Sequence, residues 1–160
     1  ENFASRDAAM AIVLRSIRDL RYRNLRTVVW AHNSHVWESP HPTAGWAPMM
    51  GTRLREAFGR GYVSLGLVGS TVELNVPPPQ GGCGRETPPV DGSVERKLES
   101  LGTGGFLLAD LINPANPPFF APGQTFILAQ GSIEPRSYFD ALIWLEQSDP
   151  MIPLDRAACP

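Results

Sequence analysis

The chain has 160 residues, a length suited to one domain with a substantial core, and a hydrophobic fraction of 42%. Its 16 Pro and 15 Gly exceed average usage, which implies long irregular connections. A formal net charge of -2 gives no electrostatic reason to expect nucleic acid or an anionic membrane surface as partner, and no apolar run reaches transmembrane length.

Ser5 has the chemistry of an N-cap and Asp7 falls in the first turn, where a helix dipole favours a carboxylate. Met10, Val13 or Leu14, Ile17 and Leu20 recur at helical spacing, so an amphipathic helix is expected over 6–22. Arg15, Arg18, Arg21, Arg23 and Arg26 accompany it and read as a solvated face. The chain opens at Glu1 without Met, close to this helix start, so either a leader or a whole upstream half is expected to precede it.

Residues 27–35, TVVWAHNSH, form the stretch around which the rest is organised. The stiff side chains of 27–30 favour a strand, and the lack of polar alternation favours one covered on both faces. Such strands end at the pocket edge of an open α/β sheet, which is where His32, Asn33 and His35 would emerge. Residues 34–48 then read as a loop carrying Trp37, His41 and Trp46, aromatics suited to an apolar ligand.

Met50, Leu54 and Phe58 resume helical spacing over 50–58, with Gly59 and Gly61 as stop signals. Residues 62–68 and 71–76 read as extended pieces, and 77–92, rich in Pro and Gly, as a flexible insert without packed structure. Ser93 caps an expected short helix that ends before Gly102. Residues 106–112 are apolar and ambiguous, 113–123 form a Pro-rich loop, and 125–129 and 138–145 read as the last strands. Cys83 and Cys159 belong to no CxxC or Cys/His spacing. Their pairing would need an oxidising compartment, so export and a cytoplasmic location both stay open.

Three chemistries compete at the histidines. His32, His35 and His41 could ligate zinc with a position left open for hydrolysis, but HxxH here crosses from a strand into a loop and no HExxH is present. Alternatively, an imidazole could activate water or steady an ester carbonyl without metal, with Asn33 orienting it or donating to an oxyanion. The third reading is a non-catalytic module that holds a hydrophobic ligand or a partner chain. No GxSxG elbow, Walker loop or dinucleotide fingerprint occurs, and no cofactor is expected. Arg6 and Asp7 read either as a functional pair or as a structural cap, and Asp140 as an edge or turn residue.

RDAAMA at 6–11, VVWAHNSHV at 28–36, MGTRLREAFGRGY at 50–62 and FDALIWL at 139–145 together resemble the erythromycin esterase family, in its carboxyl-terminal portion. The RDxxMA, HNxH and MGxxL elements in this order make the resemblance fairly specific. It implies an α/β fold with a central, mostly parallel sheet flanked by helices, and long Pro/Gly-rich loops. Residues 1–160 would then be the carboxyl-terminal part of a larger esterase-like domain.

The resemblance also implies hydrolysis of a carboxylic ester, such as a macrolide lactone in antibiotic resistance, by histidine-assisted water attack. It carries His32 and His35 over as catalytic, with Asn33, Arg6 and Asp7 in support and Trp37 and Trp46 lining the substrate. The family's general base comes from an amino-terminal half with no counterpart here, so the expected partners are that half and a small ester, with neither nucleic acid nor membrane. A cytoplasmic location follows from the resemblance alone. Val13 stands where many members carry Asn, and the 77–92 insert argues against assuming macrolide specificity.

Overall fold

In a computed structural model of the chain, the described residues are 3–38, 48–74, 85–102, 104–113, 120–121, 123–128 and 131–148. They fall into two compact units. The first takes in 1–66, 110–123 and 134–141, and the second 67–109, 124–133 and 142–160. His41, Trp46, Cys83 and Cys159 lie outside the described residues, so neither the third zinc ligand, the second tryptophan nor the cysteine pairing is described.

The first unit is built on helices α1 (Phe3–Arg21), α2 (Asn33–Val36) and α3 (Met50–Phe58), followed by a 3-10 turn at Gly59–Gly61. The helix α1 begins earlier than its sequence suggests. Ser5 and Asp7 lie inside it, and Asp7 falls beyond the first turn, so neither is a cap. The face it buries also differs from the expected stripe. Ala11 packs with Met50 and Leu54 of α3 in a core flanked by Met10, Leu14, Ala31, Val36, Phe58 and Tyr62. Small Ala11 lets the two helices approach, while Val13, Ile17 and Leu20 remain exposed. The Arg18 guanidinium caps this contact from outside, 4.5 Å above the Phe58 ring.

Residues 27–30 do not form the expected buried strand. They carry no assigned secondary structure, Val28 is 90% exposed and Trp30 85%. β-branching favours an extended backbone, but a strand also needs a neighbour, and none of the described residues supplies one. Just beyond, the expected loop begins with one helical turn, α2, because His32 caps it by accepting the Ser34 N–H at Nδ1, 3.2 Å away.

The second unit centres on a four-stranded sheet in the order β2-β1-β6-β3, formed by β1 (Leu65–Leu74), β2 (Arg85–Thr87), β6 (Ala141–Ser148) and β3 (Phe106–Asp110). β4 (Phe126–Leu128) and β5 (Gly131–Ile133) make a separate hairpin. Helices α4 (Val94–Glu99) and α5 (Pro135–Tyr138) complete the element order, α5 falling in the first unit.

The fold is thus α/β with a small mixed sheet. The two pairs with defined register, β1–β2 in the four-stranded sheet and the β4–β5 hairpin, are antiparallel. Both join strands close in sequence, which short connections favour. The first pair also corrects the view of 77–92 as wholly unstructured, since Arg85 to Thr87 pair with Leu74 to Val72. Two expected extended pieces merge into β1, and the last strand starts later than expected because 135–138 coil into α5 around Pro135 at a helix start.

Within this unit Val68, Val94, Leu98, Leu142 and Trp144 are buried. The Trp144 indole N–H donates to Ser70 Oγ at 3.0 Å, which satisfies the ring's polar atom inside the core. Ser93 caps α4 as its sequence implies, accepting the Arg96 N–H at 3.1 Å. No helix among the described residues is long and apolar enough to cross a membrane.

Candidate active site

His35, in the single turn of α2, meets Asp7 of α1. Its Nδ1 lies 2.9 Å from Asp7 Oδ1 and 3.2 Å from Oδ2. Asp7 is fully buried, whereas the His35 side chain keeps 17% exposure, so the ring joins a buried carboxylate to the surface. Asp7 Oδ2 also accepts the Met50 N–H at 2.9 Å, at the start of α3. A buried carboxylate with few partners would be costly, and these donors offset that cost.

The opposite ring atom defines the tautomer. Arg6 Nη2 lies 3.0 Å from His35 Nε2, and a guanidinium can only donate. Nε2 therefore accepts, Nδ1 carries the proton, and that proton is donated to Asp7. The same reasoning applied to His32 gives the other tautomer. Its Nδ1 accepts the Ser34 N–H and lies 2.9 Å from Ser34 Oγ, so a neutral His32 ring carries its proton on Nε2.

The seat of this site is unusually tight. A Cβ on Gly51 would lie 2.2 Å from the Val36 carbonyl oxygen and 2.3 Å from that of Trp37. Only glycine lets the first turn of α3 rest on the end of α2, and that seating brings the Met50 N–H to Asp7. The MGxxL block thus has a physical role. Its glycine permits the approach that its neighbour's backbone N–H uses.

A second polar cluster lies in the same unit. Arg55 donates from Nε and Nη2 to the two Glu38 oxygens at 2.7 and 2.6 Å, and from Nη2 to Asp140 Oδ2 at 2.6 Å. Its Nη1 serves the carbonyls of Gly59 and Tyr62 at 2.9 and 2.7 Å. All five guanidinium protons are therefore engaged. The Glu38 hydrogen bond is the largest influence raising the Arg55 pKa above its ordinary value.

Ser64 completes the cluster by donating its N–H to Asp140 Oδ2 at 2.7 Å, with its hydroxyl 3.0 Å from Glu38 Oε1. Tyr62 donates to the Val36 carbonyl at 2.6 Å, and burial first, then Glu38, pushes its phenol pKa up. Asp140, expected to be a simple edge residue, is thus an ion-pair partner. Arg55 and Glu38 carry no motif in isolation, and only their approach across 17 residues makes them a unit.

Among the other candidate residues, Trp37 packs edge-on to Tyr138 with ring centroids 5.4 Å apart, and its indole N–H finds no acceptor among the described residues. His32, Asn33 and His35 share the α2 turn and its cap. No group of three or more His, Cys, Asp or Glu side chains suited to a metal ion occurs among the described residues. A zinc ion on His35 Nε2 would have to displace a guanidinium, so the geometry does not favour that alternative.

The arrangement of a surface-linked histidine on a buried aspartate, carried by an α/β scaffold, is of the kind found in hydrolases that use a histidine base. The erythromycin esterase family model matches residues 1–148, and the chain belongs to that family.

Two solved structures share its fold. One is a Bacillus cereus protein, with a TM-score of 0.63 and 19% identity over 91% of this chain. The other is a histidine-to-asparagine mutant of the erythromycin esterase EreC in its open conformation, with a TM-score of 0.61 and 24% identity over 90% of this chain. The chain spans 38% of the first and 37% of the second.

Proposed function

We propose that the chain forms one wall of a carboxylic ester hydrolase whose base is His35, held by Asp7, and whose remaining wall is supplied by further polypeptide of the same protein. The observation that carries this reading is the Asp7–His35–Arg6 relay, in which the Nδ1–H faces a buried carboxylate and the Nε2 lone pair faces outward.

In the proposed step, water attacks the ester carbonyl carbon and gives its proton to His35 Nε2, while Asp7 steadies the imidazolium through Nδ1–H. Collapse of the tetrahedral intermediate breaks the bond to the alkoxide, which takes that proton back. Arg6 leaves Nε2 when substrate arrives and turns its donors to the developing oxyanion, joined by the Nε2–H of His32. Asn33 supports the His32 turn, and Trp37 and Trp46 offer apolar surface to the substrate. A macrolide lactone is the substrate the family name suggests.

The test is ester turnover by the complete protein and by this chain alone. The chain alone is expected to show little or none. In the complete protein His35→Gln should lower kcat about 10²- to 10⁴-fold, the usual contribution of a positioned acid–base group. Unchanged turnover in that variant would favour the non-catalytic ligand-binding module instead.

A further inference from the structure

A single helical turn does not hold itself together. Closing it fixes several backbone angles in return for very few hydrogen bonds, so the four residues of α2 keep their shape through what surrounds them. His35 is the third of the four, and its Nδ1 must stay 2.9 Å from Asp7 Oδ1 for the relay to operate. Whatever holds the far end of this turn therefore bears on the base.

That far end is gripped at Val36 and at Glu38. The Tyr62 hydroxyl donates to the Val36 carbonyl at 2.6 Å, the same oxygen that a Cβ on Gly51 would approach to 2.2 Å. Two residues on, Glu38 donates its N–H to the Tyr138 carbonyl at 2.9 Å, and Arg55 clasps its carboxylate. Tyr62 is itself fixed. Its ring packs against the Ala11, Met50 and Leu54 core, Arg55 Nη1 donates to its carbonyl at 2.7 Å, and the guanidinium lies 5.5 Å from the ring centroid.

A carbonyl at the end of a helix has no partner within that helix, and here a phenol supplies one. Burial first, and then Glu38, raises the Tyr62 pKa, so the hydroxyl keeps its proton at every pH where a neutral imidazole could serve as base.

We propose that Tyr62 is a positioning residue for His35: its hydroxyl pins the Val36 carbonyl so that the imidazole one residue earlier keeps its Nδ1 on Asp7. This rests on the reading above that His35 is the base. The hydroxyl proton is committed to the carbonyl, so Tyr62 acts through the backbone and transfers nothing in the reaction. Through this bond and the Glu38 clasp, the Arg55 cluster is joined to the relay.

The experiment is Tyr62→Phe in the complete protein. Phenylalanine keeps the ring against the core and deletes only the hydroxyl, and the urea midpoint checks that the variant is folded under assay conditions. The kcat is expected to fall about 10- to 100-fold, the effect of a small misplacement of a reacting group, with KM changed far less. Ring-nitrogen NMR of His35, at a pH where the imidazole is neutral, adds a readout that lost stability alone does not move. The parent is expected to show the Nδ1–H tautomer, and the variant a mixture with the Nε2–H form.

A fixed Nδ1–H tautomer in the variant would overturn the proposal. Joined to a lowered kcat, that result would make Tyr62 a group acting on the substrate directly, and with kcat unchanged it would leave the hydroxyl a structural bond only. A mixed tautomer with unchanged kcat would uphold the hold of Tyr62 on His35 and remove His35 as the base. The ring signal is read without turnover, so it decides the proposal even when His35→Gln proves silent.

Discussion

The first unit contains two polar clusters that look alike in composition and differ in completeness. Around Arg55, every guanidinium proton has an acceptor, and Ser64 donates to both Glu38 and Asp140 as well. Around His35, one ring nitrogen is committed to buried Asp7, while the other is held by a single Arg6 contact at the surface. A saturated network resists change because any movement strands a charge. A relay with one replaceable contact can exchange it for a substrate. The first arrangement is suited to holding the chain and the second to chemistry.

The sharpest way to break this distinction is to change one acid in the relay. In the complete protein, Asp7→Asn keeps the size of the side chain but removes the charge that fixes the Nδ1–H tautomer and steadies the imidazolium. Turnover is expected to fall about 10²- to 10⁴-fold, with KM changed far less than kcat. A loss confined to KM would place Asp7 in substrate binding and merge the two clusters into one kind.

Next in size is Arg55→Ala, which should act on stability. The side chain is 27% exposed, and its removal leaves Glu38 and Asp140 facing each other without a counter-ion. Breaking a fully buried pair costs about 3–5 kcal/mol, and the partial exposure lowers that to about 2–4 kcal/mol. Urea unfolding monitored by tryptophan fluorescence measures it. A change below about 1 kcal/mol would show that water replaces the guanidinium readily, as at an exposed pair.

The sequence makes these two clusters unequally legible. The His35 relay lies in residues that carry a recognisable order, RDxxMA and HNxH, so both histidines and Asp7 stand out before any fold is known. The roles do not. Which nitrogen of His32 and His35 holds the proton depends on Ser34 and Arg6, and that is a matter of local geometry.

The Arg55 cluster is not legible as a unit because it joins Glu38, Arg55 and Asp140 from three segments far apart in sequence, and the blocks that hold Arg55 and Asp140 do not show that the two meet. Helix α3 is legible with both its limits, since Met50, Leu54 and Phe58 mark one face and Gly59 ends it at a φ of 53°. Residues 27–30 depart from their expected strand for the opposite reason. Composition reports what a strand would prefer, but pairing depends on partners that the local sequence does not contain.

A carboxylate outside both clusters gives the smallest effect and separates charge from ion pairing. Glu134 accepts the Gly123 N–H at 2.7 Å and the Ser137 hydroxyl at 2.8 Å, with Arg136 only a lesser influence. Neutral donors thus hold its pKa below the ordinary glutamate value, the Gly123 N–H first and the Ser137 hydroxyl second. Because the folded-state pKa is depressed, its contribution is present above the unfolded-state pKa and lost as pH falls through the folded one.

Glu134→Gln should therefore lower the urea midpoint slightly at neutral pH, and the difference from the parent should vanish in acid, below the ordinary carboxylate range. Raising salt should leave the neutral-pH difference nearly intact, since hydrogen bonds to neutral donors are screened less than ion pairs between exposed charges. If salt abolished it, Arg136 would be the true partner. Glu134 would then belong with the charge-paired carboxylates Glu38 and Asp140 rather than standing apart from them.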